Sequence, residues 1–204
     1  MSGVYITLNM GKNMAEFLFF LLYIAAISSL LYGLWMSIPF FYGVPWVPTA
    51  RDRIRWALEM VDLQEGELLY DLGAGDGRVL FMAAEVFGAR AIGIEASPLQ
   101  YAFTWLRIFF NGGKPNISVR RENFHQSDLS DADVVFAYLR PDQTIPMQDV
   151  LSAQLKVGAR VVAVAFDFPK WKPSDFDEGY LLFTYEMPPQ KGGIAAYLAE
   201  QVTL

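Results

Sequence analysis

From Phe17 to Met36 the chain runs apolar without a single charge, FLFFLLYIAAISSLLYGLWM. At about 1.5 Å per residue, such a helix spans the roughly 30 Å hydrocarbon core of a bilayer, which predicts one transmembrane helix. A cleaved signal peptide would have a shorter apolar core, a basic leader and a small-residue cleavage site, and none of these is evident. Beyond Pro39 the pattern changes. Pro39, Pro45 and Pro48 predict a stiff, extended connection. Thr49-Ala50-Arg51-Asp52 then reads as an N-cap followed by an acid. Ile54, Ala57, Leu58 and Val61 follow at i, i+3, i+4 and i+7, the buried stripe of a helix.

Farther on, short apolar runs alternate with helical stretches. Strands are predicted at 68–71, 89–95, 117–121, 133–139 and 160–166, and helices at 79–84, 98–110 and near 147–156. Tyr180–Met187 and Ala195–Val202 read as a terminal antiparallel hairpin joined through Gly192-Gly193. Strand–helix alternation implies a parallel-centred α/β sheet, here doubly wound and Rossmann-like. With the terminal pair it has seven strands. The expected organisation is a membrane anchor at 1–38, a connecting segment with the first helix at 39–63, and an α/β domain at 64–204.

The most informative stretch is Leu68-Leu69-Tyr70-Asp71-Leu72-Gly73-Ala74-Gly75-Asp76-Gly77-Arg78. A strand ends in an acid, and three glycines follow at alternate positions before a helix. Glycine tolerates φ > 0 and has no Cβ to block a ligand, so this backbone is suited to close approach. The dinucleotide fingerprint G-x-G-x-x-G would place its third glycine at Arg78. The pattern is instead D-x-G-x-G-x-G, which resembles the first motif of class I, seven-strand S-adenosylmethionine-dependent methyltransferases.

That resemblance assigns a cofactor site at the carboxyl ends of the strands. Gly73, Gly75 and Gly77 line the first turn, and Asp71 suits the cofactor's ammonium or pins the turn through backbone N–H groups. Glu95 closes the second strand twenty positions after Gly75, where a carboxylate can accept both ribose hydroxyls. Asn123 with Phe124 is the first choice for the adenine, and Asp128 the alternative. His125 reads as a surface or packing histidine rather than a base.

Composition narrows the chemistry. The chain has no cysteine and one histidine, so disulfides, thiolate nucleophiles and multi-His or Cys metal sites cannot be built. No metal is expected. The net charge of −6 argues against nucleic acid as partner and suits a basic one. Lys12 precedes the apolar span and Arg51, Arg53 and Arg55 follow it, which favours a single-pass membrane protein with its catalytic domain on the cytoplasmic side. Trp35, Phe40, Phe41, Tyr42 and Trp46 read as an interfacial aromatic belt.

The resemblance narrows further with four segments in order. These are Val44-Pro45-Trp46-Val47-Pro48-Thr49, the glycine turn through Arg78, Glu122-Asn123-Phe124 with Asp128-Leu129, and Phe166-Asp167-Phe168-Pro169-Lys170-Trp171-Lys172-Pro173. They resemble the protein lysine methyltransferases that include membrane-anchored mitochondrial enzymes acting on the ATP synthase c-subunit and the adenine nucleotide translocase, with archaeal relatives. The likeness covers about residues 44–200. Tyr138-Leu139-Arg140-Pro141 departs from the D/N-P-P-Y signature of methyltransferases that modify nucleic-acid or glutamine amino groups.

The resemblance implies S-adenosylmethionine as cofactor and a protein lysine as acceptor. A lysine amine, with pKa near 10.4, must lose a proton before it attacks a methyl group. Tyr138 and Trp171 are the candidates to frame a lysine channel, Trp171 being equally readable as a core anchor. Thr49 and Trp46 are placed to cover the cofactor, and Asp167 or Asp142 to accept the proton. Two other readings remain open: a methyltransferase for a small lipophilic substrate such as a quinone or lipid headgroup, and a non-catalytic cofactor-binding membrane protein.

Overall fold

The Leu-Leu-Tyr-Asp-Leu run is buried at every position and forms β1 (Leu68–Leu72). A strand covered on both faces reads as a continuous apolar run rather than an alternating one. A computed structural model places it inside a seven-stranded sheet; the structure describes residues 2–41 and 49–201, with side chains for 14–34 and 49–201.

In chain order the elements are α1 (Ser2–Phe41), α2 (Arg51–Met60), β1, α3 (Arg78–Val86), β2 (Arg90–Ile94), α4 (Pro98–Phe110), β3 (Ile117–Arg120) and β4 (Val134–Ala137). There follow α5 (Pro141–Gln154), β5 (Arg160–Val164), β6 (Trp171–Lys172), β7 (Asp175–Asp177), β8 (Leu182–Glu186), β9 (Gln190–Lys191) and α6 (Ile194–Gln201). The chain divides into two compact units, Met1–Pro45 and Trp46–Leu204.

In the first unit, α1 continues past Pro39 to Phe41. Its stretch Met14–Leu34, 21 residues with mean hydropathy 2.2, is long and apolar enough to cross a membrane. The expected stiff segment through Pro45 and Pro48, and the side chains of the expected aromatic belt, lie outside the described residues.

In the second unit the strand order is β3-β2-β1-β4-β5-β8-β7. The first five strands pair in parallel, β8 runs antiparallel to β5, and β7 antiparallel to β8. The order reverses between β1 and β4, so the crevice beyond the carboxyl end of β1 is the place for a ligand. This is the seven-stranded class I methyltransferase sheet that the sequence predicts.

Alternate residues feed two cores. Leu69 of β1 with Val134 and Phe136 of β4 joins Ile54 and Leu58 of α2, Leu80 of α3 and Ile108 of α4. Tyr70 and Leu72 with Val135 and Ala137 join Met147 and Leu151 of α5 and the aromatic side chains Phe168, Trp171 and Tyr185.

Three local expectations are corrected. The expected strand at 195–202 is not formed by its described residues: β8 pairs back to β7, Gln190–Lys191 pairs with Trp171–Lys172, and 194–201 is helical. Ala, Leu, Glu and Gln in that segment are strong helix formers. Helix α5 starts at Pro141 rather than near Met147 and carries Pro146 inside it. Pro141 at the first helical position loses no hydrogen bond there. Helix α2 is capped by Ala50, without a side-chain bond, and not by Thr49.

Candidate functional site

The site is built on the turn between β1 and α3. Gly73, Gly75 and Gly77 take φ of 86°, 54° and 75°, conformations that L side chains rarely adopt. A Cβ on Gly73 would meet nothing within 4 Å, so that side of the bend is open. A Cβ on Gly77 would lie 2.8 Å from Thr104 Cγ2, so there the glycine permits α4 to approach.

The bend is tied down from several sides. The Gly73 and Ala74 N–H groups donate to the Ile94 carbonyl at 2.9 and 3.1 Å, locking the bend to the end of β2. From α4, Thr104 Oγ1 donates to Gly75 O, and Arg107 Nη1 donates to Asp76 O at 2.7 Å. Arg78 pairs with Asp76 at 2.7 Å and donates from Nη1 to Thr49 O at 2.7 Å. Burial alone would raise the Asp76 carboxyl, but Arg78, helped by Arg107, holds it below its ordinary value.

Glu95 reaches the same bend. Its Oε2 accepts the Gly75 N–H at 2.9 Å and its Oε1 accepts the Ser97 N–H at 2.9 Å. Each oxygen keeps a further lone pair for a ligand hydroxyl. Burial raises the Glu95 carboxyl, opposed by the N–H groups of Ser97, Gly75 and Ala96.

Asp71 is 4% exposed, and none of the described residues hydrogen-bonds to its carboxylate. Its pKa is pushed up to about 8, first by burial and then by the charges of Glu95 and Asp76. A buried carboxyl without a counter-charge is strongly disfavoured in its ionised form, so a ligand cation there would be held firmly. Unpartnered Asp71, the open side of Gly73 and the spare lone pairs of Glu95 together fit the ammonium and ribose of S-adenosylmethionine.

The other candidates are more dispersed. The loop after β3 follows a strand whose Arg120 carbonyl accepts the Glu95 N–H at 3.0 Å, so it leaves the sheet beside Glu95. In it Phe124 is buried, its ring centroid 4.6 Å from that of His125 and tilted 46° to it, and burial pushes the His125 imidazole down. Asn123 and Asp128 are exposed, their side chains accepting the His125 and Ser130 N–H groups at 3.1 and 3.0 Å. Thr49 is buried, and its carbonyl bonds Arg78. Tyr138, half-buried after β4, has the Arg53 guanidinium 5.6 Å above its ring. Asp167 is half-buried, and Asp142 is exposed in an ion pair with Arg140 at 2.6 Å.

Trp171 has the anchor geometry. It is 5% exposed and packs its ring 4.8 Å from Phe168 and 5.4 Å from Tyr185, leaving little surface to frame a channel. Trp46 lies outside the described residues.

The sequence reading missed the support from α4, and with it Gln100. Gln100 lies one turn before Thr104 on the same buried face, and its Oε1 has no hydrogen-bond partner. The signal was the spacing of Gln100, Thr104 and Ile108, polar at two of three buried positions of an apolar helix. Gly93 was missed too: a Cβ there would fall 2.6 Å from Ala74 Cβ, so β2 carries a glycine where the bend folds over it.

Comparison with known proteins agrees with this geometry. Residues 71–175 match the family of the ANTKMT methyltransferase domain. A protein-lysine N-methyltransferase of Saccharolobus islandicus is 33% identical over 133 residues, 65% of this chain and 83% of that protein. The adenine nucleotide translocase lysine N-methyltransferase of Mus musculus is 31% identical over 137 residues, 67% of this chain but only 59% of the mouse protein. Among solved structures, an RNA methyltransferase from Salinibacter ruber in complex with S-adenosyl-L-homocysteine is 33% identical, with a TM-score of 0.67 over 71% of this chain and 95% of that one.

Proposed function

This chain belongs to the ANTKMT methyltransferase domain family and is an S-adenosylmethionine-dependent methyltransferase, and on that premise we propose that it methylates lysine side chains of proteins at a membrane surface. The observation that carries cofactor use is the Glu95 carboxylate joined to the Gly75 N–H beside the unpartnered Asp71. The lysine acceptor is supported by the names of the archaeal and mouse relatives. The membrane location is supported by the apolar helix Met14–Leu34. With three arginines closely following that span, the enzyme is a single-pass protein whose catalytic unit faces the cytoplasm.

When bound, the cofactor supplies an electrophilic methyl group on a sulfonium. The protein's task is positioning, since holding two reactants in line lowers the barrier without any covalent step on the enzyme. Asp71 holds the ammonium end, the bend from Gly73 to Gly77 holds the amino-acid part, and Glu95 holds the sugar. Phe124 offers the adenine an apolar neighbour, with Asn123 or Asp128 as polar partner. Thr49 braces the bend through Arg78. Tyr138 borders the acceptor side, and Asp167 or Asp142 takes the proton the amine releases.

The Salinibacter structure is titled an RNA methyltransferase. Here the net charge of −6 opposes a polyanionic substrate and favours a basic protein. The test is to incubate the full chain with membranes, RNA and labelled S-adenosylmethionine. Label in a protein band, recovered as methyllysine after hydrolysis, supports the reading. Label in RNA or in the organic extract overturns it.

A further inference from the structure

Helix α4 turns an uncharged, strongly apolar surface outward. Trp105, Leu106, Phe109 and Phe110 are 49, 44, 61 and 77% exposed, and Leu99 extends the same surface about two turns toward the N-terminus. The Trp105 and Phe109 rings stack at 5.7 Å, forming a broad aromatic plate. The one charged residue of α4, Arg107, is turned inward to Asp76 and to the Phe81 ring 4.5 Å away. Buried Gln100, Thr104 and Ile108 face the domain, so the polar atoms of this helix point in while most of its large hydrophobes point out. That inverts the usual arrangement of a helix at the surface of a soluble domain.

We propose that this face of α4 lies in the interfacial layer of a lipid bilayer, a second membrane contact that holds the catalytic unit against the surface. The proposal rests on the reading that Met14–Leu34 spans the membrane.

Two features select lipid over other occupants. A helix of thirteen residues offers about 20 Å by about 10 Å of face, about 200 Å² per copy, against the roughly 800 Å² per partner of a stable protein interface. A dimer through α4 alone is therefore too small, whereas a bilayer needs no complementary shape. Only fourteen residues separate Leu34 from Thr49, a reach of at most about 50 Å. Such a tether keeps the face at high effective concentration beside the membrane, so a weak contact suffices. Tryptophan and phenylalanine are the side chains an interfacial helix uses. With no cation on the face and a net charge of −6 on the chain, the attachment is apolar rather than electrostatic and does not weaken as salt rises. Helix α4 begins three residues after Glu95, so a bilayer along it runs beside the cofactor bend and within reach of lysines at the membrane surface.

The absence of cysteine makes the test clean. Phe109→Cys, Leu21→Cys and Val157→Cys are made singly in the full chain, spin-labelled and reconstituted into phosphatidylcholine vesicles. Position 21 reports the spanning helix, and Val157, 85% exposed, reports water. The label at 109 is expected to collide with a water-soluble relaxer severalfold less often than that at 157, at low and high salt alike. Free collision at 109 with protection at 21 overturns the α4 contact and leaves the anchor standing. Free collision at both positions overturns the contact and the anchor together. Protection at 109 that fades as the protein is diluted in lipid assigns the face to a second copy and overturns the proposal.

Discussion

Glu95, at the end of β2, and Gly75, in the bend after β1, are joined by a 2.9 Å hydrogen bond from the glycine N–H to Oε2. The same carboxylate caps the Ser97 N–H at the head of α4, so one side chain joins the bend to the next helix. Glu95→Ala removes the sugar acceptor and the brace at once. With charged hydrogen bonds contributing about 1.5–3 kcal/mol each, cofactor affinity is expected to fall roughly 100-fold or more. Glu95→Gln sets an amide NH₂ against one of the two N–H donors and is expected to bind almost as poorly. Calorimetric titration with S-adenosylhomocysteine checks both, and unchanged affinity removes Glu95 from the site.

Asp71 makes the free protein sensitive to pH. Its folded pKa of about 8 lies above the ordinary 3.8. Its contribution to stability is therefore complete below about pH 4 and is lost as pH rises toward 8. Asp71→Asn is expected to raise the melting temperature of the free protein at pH 8 relative to the parent, with the gain shrinking toward pH 4. In the parent, a ligand ammonium favours the ionised carboxylate, so binding near pH 7 releases a proton. Titration in buffers of different ionisation enthalpy reads that proton, and Asp71→Asn abolishes the release while weakening binding.

Much of this site was legible because it is local. The acid–glycine turn lies within eleven residues, α4 matches the predicted 98–110, and β1 runs one residue past the acid expected to end it. The brace from Arg107 to Asp76 was not legible, since it joins residues 31 apart and becomes adjacent only once β2 pairs with β1. The C-terminal segment was misread for a different reason. Ile194-Ala195-Ala196-Tyr197-Leu198 is too short and too uniformly apolar for periodicity to separate strand from helix. The two-residue strands β6 and β9 exist through tertiary pairing and carry almost no sequence signal.

Two glycines separate stability from binding. Gly93→Ala places a methyl 2.6 Å from Ala74 Cβ and 2.8 Å from Leu80 Cδ1 in a packed region, and overpacking of this kind costs about 1–3 kcal/mol. Gly73→Ala meets no atom, but its φ of 86° strains an alanine by about 1–2 kcal/mol and the methyl enters the open side of the bend. Both variants lose stability in thermal melts. Gly73→Ala is expected to lose more cofactor affinity for the same loss of melting temperature. Equal losses of affinity at matched stability would show that the open side of Gly73 does not face the ligand.

Trp171 and Tyr138 are expected to respond oppositely to conservative change. Trp171 packs against Phe168 and Tyr185, and Tyr185 Oη accepts the Phe168 N–H at 3.0 Å, so the cluster anchors the chain after β5. Trp171→Ala empties part of that core, at a cost of about 3–5 kcal/mol. Trp171→Phe keeps most of the packing, and kcat at a temperature where the protein stays folded is expected to match the parent. Tyr138→Phe barely alters packing, since the ring stays beneath the Arg53 guanidinium. It removes the one hydroxyl at the carboxyl end of β4, and if that group borders the acceptor amine, kcat falls while cofactor affinity and melting temperature hold. A drop in kcat for Trp171→Phe at constant stability would instead return the indole to the acceptor channel.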